Sequence, residues 1–278
     1  MGEGCWPVLD AGRLNAALAS RPRLWREVRV VEETGSTNAD LLAEARSGAG
    51  EGLVLVAEEQ TAGRGRLGRR WISAPRSALT FSVLLRPAGV PAALLGWAPL
   101  LAAVAIVSAL RETAGVNASL KWPNDVMAGG AKLAGILAER WGDAIVLGAG
   151  INVFQRRAEL PVPTATSLLL AAPAAGTADT RERLLTAVLG ELARRYHAWL
   201  DQPHPGDPDG CGLREEYLGR SATVGEAVTV LLPGGQDLTG TAVGIDTAGR
   251  LELRTPTGLV QVSAGDVVHV RPGSLAAG

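Results

Sequence analysis

The sequence predicts an α+β chain, a mixed sheet with helices followed by a small SH3-like β-barrel. Strand-like and helix-like apolar periods interleave from residue 10 to residue 200. A stretch dense in proline, glycine and aspartate, residues 202–212, then breaks the pattern and reads as a linker or surface excursion. Beyond it, five short apolar runs of strand length recur between glycine turns. The expected division is a larger domain over 1–212, with the linker at about 201–212, and a small domain over 213–278.

A short helix is expected over 10–19 and a strand over 27–33. Ser36 or Thr37 then caps a helix with Leu41, Leu42 and Ala45 on one face. Strands follow at 53–57 and 79–85, with a glycine- and arginine-rich loop between them. Residues 88–110 carry no charge, which is long enough to span a bilayer. Pro91 and Pro99 interrupt this alanine- and glycine-rich stretch, so a buried core helix starting near Pro99 is expected instead. Strands are expected at 119–121, 132–139 and 144–151, with Gly129-Gly130 turning the chain before Lys132. Leu184, Leu185, Val188, Leu192 and Tyr196 fall at helical spacing within 180–200. The last strands are expected at 228–232, 238–245, 251–254, 260–262 and 267–270.

With 47% apolar and 20% charged residues, the 278-residue chain is that of a folded protein with a sizeable core. A formal net charge of −1 supplies no global field for nucleic acid or an anionic membrane. Three scattered histidines make no ligand spacing, and neither Cys5 nor Cys211 has a metal-type neighbour. Two thiols far apart, with a single bridge between them the alternative, suggest a reducing compartment, and with no basic-then-apolar leader the cytoplasm is expected. Of the 27 lysines and arginines, only Lys121 and Lys132 are lysine. A chain that otherwise takes arginine places a compact ammonium at two neighbouring positions, where it can neutralise phosphate charge.

Four stretches carry chemistry. Gly63-Arg64-Gly65-Arg66-Leu67-Gly68-Arg69-Arg70-Trp71 joins a backbone free to wrap a ligand to forked donors for carboxylate or phosphate; a solvated basic loop is the bland alternative. In Lys121-Trp122-Pro123-Asn124-Asp125, with Lys132-Leu133-Ala134-Gly135-Ile136 after it, the proline and the Asn-Asp pair favour a turn that sets both lysines at neighbouring strand ends. Gly148-Ala149-Gly150-Ile151-Asn152 is a weak pattern, and no helix follows it as a dinucleotide fingerprint requires. Gly35-Ser36-Thr37-Asn38 offers amides and hydroxyls at a helix start, or an ordinary cap.

Taken in order, with Gln60 ahead of the arginine loop, these four stretches resemble the biotin–protein ligases, densely over 33–153 and more loosely to the barrel. The resemblance implies that biotin's carboxylate attacks the α-phosphate of MgATP to give biotinyl-AMP, and that a carrier-protein lysine then takes the biotinyl group. It implies biotin contacts from Ser36, Thr37, Asn38, Gln60, Arg64 and Lys132. It implies adenylate contacts from Arg64, Gly65, Arg66, Arg69, Trp71, Asn124 and Asn152. Lys132, Arg66, Lys121 and Asp125 are the implied catalytic set, with Asp125 a candidate for Mg²⁺ or for orienting the incoming lysine. The implied partner is a biotin carboxyl carrier protein or domain of acyl-CoA carboxylase, with no membrane and a monomer or weak homodimer. Some members also carry a winged-helix domain that binds DNA. Only 35 residues precede Ser36, so no operator binding is expected. A lipoate ligase, an RNA-binding protein built on the arginine loop and a non-catalytic adaptor are the rival readings. Neutral charge and few interleaved aromatics weigh against RNA, and an adaptor leaves both lysines unexplained.

Overall fold

The computed structural model describes residues 6–19, 24–233, 235 and 237–269; Cys5 and the expected strand end at Val270 lie outside them. The first helix, α1 (Ala11–Ala19), begins where Asp10 accepts the Arg13 amide at 3.0 Å. β1 (Glu27–Thr34) follows, and Ser36 caps α2 (Thr37–Arg46) by accepting from the Ala39 amide. β2 (Leu53–Gln60) and β3 (Ala78–Leu85) bracket the arginine loop. The long apolar helix α3 spans Trp97–Ala114, so Pro99 lies within its first turn, where a missing N–H costs no helical bond.

After α3 come β4 (Ser119–Lys121), β5 (Asp125–Ala128), β6 (Ala131–Trp141) and β7 (Ala144–Asn152). The sequence expectation lacks β5, because four residues between turn signals are too few to show alternation. The correction matters: Lys121 and Lys132 sit on the two strands that flank β5, not on neighbouring strands. α4 (Leu168–Ala171) is one turn, and α5 (Thr180–Leu200) is the expected helix. α6 (Leu213–Leu218) packs on α3, with Tyr217 edge-on to Trp97 at 6.0 Å between ring centroids. The small domain's strands are β8 (Ala227–Leu231), β9 (Asp237–Ile245), β10 (Leu251–Thr255), β11 (Gly258–Val262) and β12 (Asp266–His269).

The larger sheet runs β1-β2-β3-β7-β6-β5-β4, with β1–β2 parallel and its other pairs antiparallel. β3 and β7 are buried along their whole length and take the centre. One face is covered by α3 and α5, which pack on each other. The stretch Ala92–Ala114 is apolar enough to cross a membrane, yet 67% of its most apolar window is buried inside the protein. On the opposite face, Leu41, Leu42 and Ala45 of α2 pack against Leu55, Leu84, Ala144 and Val146. At the sheet edge the Asn15 side chain stands in for a strand: it donates to Val28 O and accepts from Val28 N, both at 2.9 Å.

The C-terminal strands form a five-stranded antiparallel sheet, β11-β10-β9-β8-β12, of the SH3-like class. It is joined firmly to the larger sheet. Trp97 Nε1 donates to Asp246 O at 3.2 Å and Trp122 Nε1 to Gly249 O at 3.1 Å. One apolar cluster runs through both sheets. At the other end, Glu58 and Arg181 form a fully buried ion pair at 2.5 Å. Glu58 also accepts the Leu9 amide, and Arg181 donates to Pro7 O, each at 2.6 Å, which fastens the N-terminal segment to β2 and α5.

Candidate active site

The site is built on the α2 face of the sheet, where glycines leave room beside polar neighbours. Thr80, Gly150 and Gly135 form one cross-strand row on β3, β7 and β6, and Ser82, Gly148 and Leu137 form the next. Two of these glycines are required by close approach. A Cβ on Gly148 would lie 2.0 Å from Asn38 Oδ1, and one on Gly150 would lie 2.3 Å from the Trp71 ring. The β7 glycines thus admit a polar side chain from α2 and an indole from the arginine loop.

Over the second row runs a chain of hydrogen bonds. Gln60 Oε1 accepts from the Thr37 amide at 2.8 Å and faces the Thr37 hydroxyl at 3.0 Å. Thr37 Oγ1 meets Ser82 Oγ at 2.7 Å, and Ser82 donates to Asn38 Oδ1 at 2.6 Å. Asn38 Nδ2 donates to Leu137 O at 3.2 Å and to Glu139 Oε2 at 2.9 Å. Ser36, Thr37 and Asn38 are all buried, consistent with a network satisfied mostly from within.

The arginine loop closes one side as a small hairpin. Arg64 bridges Arg70, the Gly65 amide donates to Arg69 O at 2.7 Å, and the Trp71 amide donates to Gly63 O at 2.9 Å. The tip turns through Leu67 at φ 54° and Gly68 at φ 75°. Leu67 lies in the left-handed region without being glycine, and its side chain is exposed. Arg64 reaches Glu139 at 3.3 Å, Arg66 Nη1 donates to Asn124 Oδ1 at 3.4 Å, and Arg69 pairs with Asp266 of the C-terminal sheet. Trp71 lies over Gly150, with its buried Nε1 facing no acceptor.

Positive charge converges opposite the hydroxyls. Lys132 Nζ pairs with Asp125 Oδ1 at 2.6 Å. Burial holds the Lys121 ammonium below its ordinary value; Asp125 opposes the shift, while Lys132 and Arg69 add to it. Burial likewise lowers the Arg66 guanidinium, again against Asp125 and with Arg69. His269 is lowered by burial and by Lys121, with Glu226 opposing. Asp125 is thus the carboxylate felt by Arg66 and both lysines. The backbone of Lys132 is clamped from outside the sheet, its amide donating to Thr164 O and its carbonyl accepting from the Thr166 amide, both at 2.8 Å.

Of the residues expected at the site, Ser36, Thr37, Asn38, Gln60, Arg64, Gly65, Arg66, Arg69, Trp71, Asn124 and Lys132 line one pocket. Asp125 sits beneath it on Lys132, and Lys121 lies beyond Asp125, outside the lining. Asn152 lies outside the lining as well. It is buried, donating to Thr166 O at 2.9 Å and accepting from Gln155 at 3.2 Å, so it braces the segment that clamps Lys132. Sequence reasoning missed Ser82 and Glu139. Strand parity was the available signal, since Glu139 shares a face with Gly135 and Leu137 on β6, and Ser82 shares one with Thr80 on β3.

The model of the Biotin/lipoate A/B protein ligase family matches residues 30–153, and that of the biotin protein ligase C-terminal domain matches 223–270. The biotin–[acetyl-CoA-carboxylase] ligase of Mycobacterium tuberculosis is 46% identical over 272 residues, covering 95% of this chain and 97% of that one. The chain belongs to the biotin protein ligase family. Among its relatives, the bifunctional ligase/repressor BirA of Bacillus subtilis is 34% identical over 86% of this chain and 71% of its own length. The solved biotin protein ligase of Aquifex aeolicus, in complex with biotin and ATP, superposes with a TM-score of 0.73. It is 30% identical and covers 89% of this chain and 100% of its own. The family's two matched segments bracket the pocket: the first carries its floor and arginine loop, and the second carries Asp266, which holds Arg69.

Proposed function

We propose that this ligase activates biotin with ATP and transfers it to a lysine of a biotin carboxyl carrier protein or domain of acyl-CoA carboxylase. The observation that carries the reading is a single pocket with two unlike ends. A buried chain of hydroxyls and amides, Thr37, Ser82, Asn38 and Gln60, suits a neutral polar head group. Lys132 and the arginines suit a carboxylate and a phosphate.

In this reading a biotin carboxylate oxygen attacks the α-phosphorus of ATP and pyrophosphate leaves. Lys132 and Arg66, both in the pocket lining, are assigned to the charge that builds on the phosphoryl oxygens, where preorganised cations act most strongly. The carrier lysine's amine then attacks the acyl carbon and AMP leaves. Arg64, Gly65, Arg69 and Trp71 cover the anhydride and keep water from it, Asn124 holds Arg66 in place, and Asp125 orients Lys132. Lys121 adds charge from the next layer. Asn152 is assigned a bracing part rather than an adenylate contact. No group of three or more His, Cys, Asp or Glu side chains gathers among the described residues. Mg²⁺ is assigned to ATP's phosphates, with Asp125 the candidate carboxylate for it. A monomer or weak homodimer in the cytoplasm completes the reading.

The test is the intact mass of an apo carrier domain incubated with the protein and MgATP, in parallel with biotin, lipoate or neither. A gain of one biotinyl group that requires ATP is the expected result. A gain with lipoate alone would replace the substrate, and no gain with either acid would remove the function.

A further inference from the structure

We propose that Glu139 is a positioning residue that sets which atoms of the pocket donate hydrogen bonds and which accept them. The proposal rests on the biotin reading above and deepens it. Glu139 lies on β6, outside the pocket lining, with its side chain 24% exposed. One oxygen takes Arg64 at 3.3 Å and the other takes Asn38 Nδ2 at 2.9 Å.

An ion-paired carboxylate has no proton to give, so Asn38 must turn its NH₂ toward Glu139. Leu137 O, also an acceptor, enforces the same choice. Asn38 Oδ1 then has to face Ser82, which must donate to it. Ser82 has a single proton, so its other contact, with Thr37 Oγ1, requires Thr37 to be the donor, and the one Thr37 proton is then divided between Ser82 Oγ at 2.7 Å and Gln60 Oε1 at 3.0 Å. Gln60 Oε1 is held by the Thr37 amide as well as by that hydroxyl, which turns the Gln60 NH₂ toward Gly63. The polarity therefore propagates from one carboxylate through three side chains. It leaves Thr37 Oγ1 as an acceptor, beside a Gln60 Nε2 donor that the Thr37 backbone amide orients. A cyclic urea, which carries N–H donors flanking a carbonyl acceptor, is matched by that pair. A head group that only accepts is matched less well. Through Arg64 the same carboxylate also fixes one arm of the loop that closes the pocket.

The experiment measures biotin affinity by calorimetry, the KM for ATP and the thermal midpoint for the wild type, Glu139→Gln, Asn38→Asp and the double variant. A glutamine has one acceptor oxygen and cannot serve both Arg64 and Asn38, so Glu139→Gln is expected to weaken biotin about tenfold. The ATP KM should change less than the biotin affinity, through Arg64 alone, and the midpoint should hold. Asn38→Asp sets two carboxylates together and is expected to bind worse still. In the double variant the amide introduced at position 139 can donate to the carboxylate introduced at position 38, while its oxygen accepts from Arg64. Biotin binding should therefore improve over Asn38→Asp alone. Unchanged biotin affinity in Glu139→Gln would overturn the proposal. So would an equal loss of biotin and ATP with a lowered midpoint, which marks a merely structural residue, or a double variant no better than Asn38→Asp. Failure of the wild type to bind biotin would instead overturn the reading beneath it.

Discussion

Lys132 and Lys121 are chemically identical, and their surroundings separate them. Lys132 lines the pocket and pairs with Asp125 at 2.6 Å; Arg66 and Lys121 still face that carboxylate when Lys132 is removed, so the removal acts on chemistry more than on folding. Lys132→Ala is expected to lower adenylate formation by about a hundredfold or more with the thermal midpoint unchanged. Arginine at this position should not restore it, because a planar fork does not replace a point charge. Pyrophosphate release on mixing biotin and ATP measures both. Lys121 is held below the ordinary lysine value by burial first, so its charged form costs stability. That cost is present in full below its folded value and disappears as pH rises toward the unfolded value, since the unfolded chain holds the proton more tightly. Lys121→Met is therefore expected to raise stability at pH 7 by on the order of half a kcal/mol or less, given partial exposure. The gain should fade near pH 10, as thermal melts at the two pH values would record.

At the scale of elements, β7 decides what the pocket can be. Gly148→Ala drives a methyl into Asn38 and Gly150→Ala drives one into the Trp71 ring. The first should weaken biotin binding and the second should weaken binding of ATP and adenylate, with the sheet intact in far-ultraviolet circular dichroism. Equal effects of the two variants on both ligands would contradict this division of the pocket. The glycine pair was visible in the sequence as a weak pattern, and its use was not, because a close approach exists only after α2 and the arginine loop have folded over the strand. The long helices and most strands were legible because burial stamps a period on them. β5 and α4 are four residues each and leave no period. The arginine loop and the two lysines were legible through composition, since this chain rarely departs from arginine. Glu139 and Ser82 carried only strand parity as a signal, which gives the face of a strand but does not mark a site until the neighbours across the sheet are known.

Across the whole molecule, the two sheets share one apolar cluster and are tied by the indoles of Trp97 and Trp122. Unfolding is expected to give a single calorimetric transition in which the two domains melt together; two resolved transitions would count against shared cooperativity. The ion pair at the opposite end has a larger effect. Arg181→Met strands the Glu58 carboxylate in the core and should cost about 3–5 kcal/mol in urea unfolding. Glu58→Leu combined with Arg181→Met should cost less, because no orphan charge is left. The outer strand β1 has a different kind of safeguard in Asn15. A strand at the border of a sheet is a template onto which a stranger's backbone can crystallise, and one bound stranger offers the next a fresh border. By filling the donor and acceptor of Val28 with a short side chain, Asn15 gives the border an ending that cannot be copied. A crowded solution of this protein is thereby denied one route to fibres at that edge.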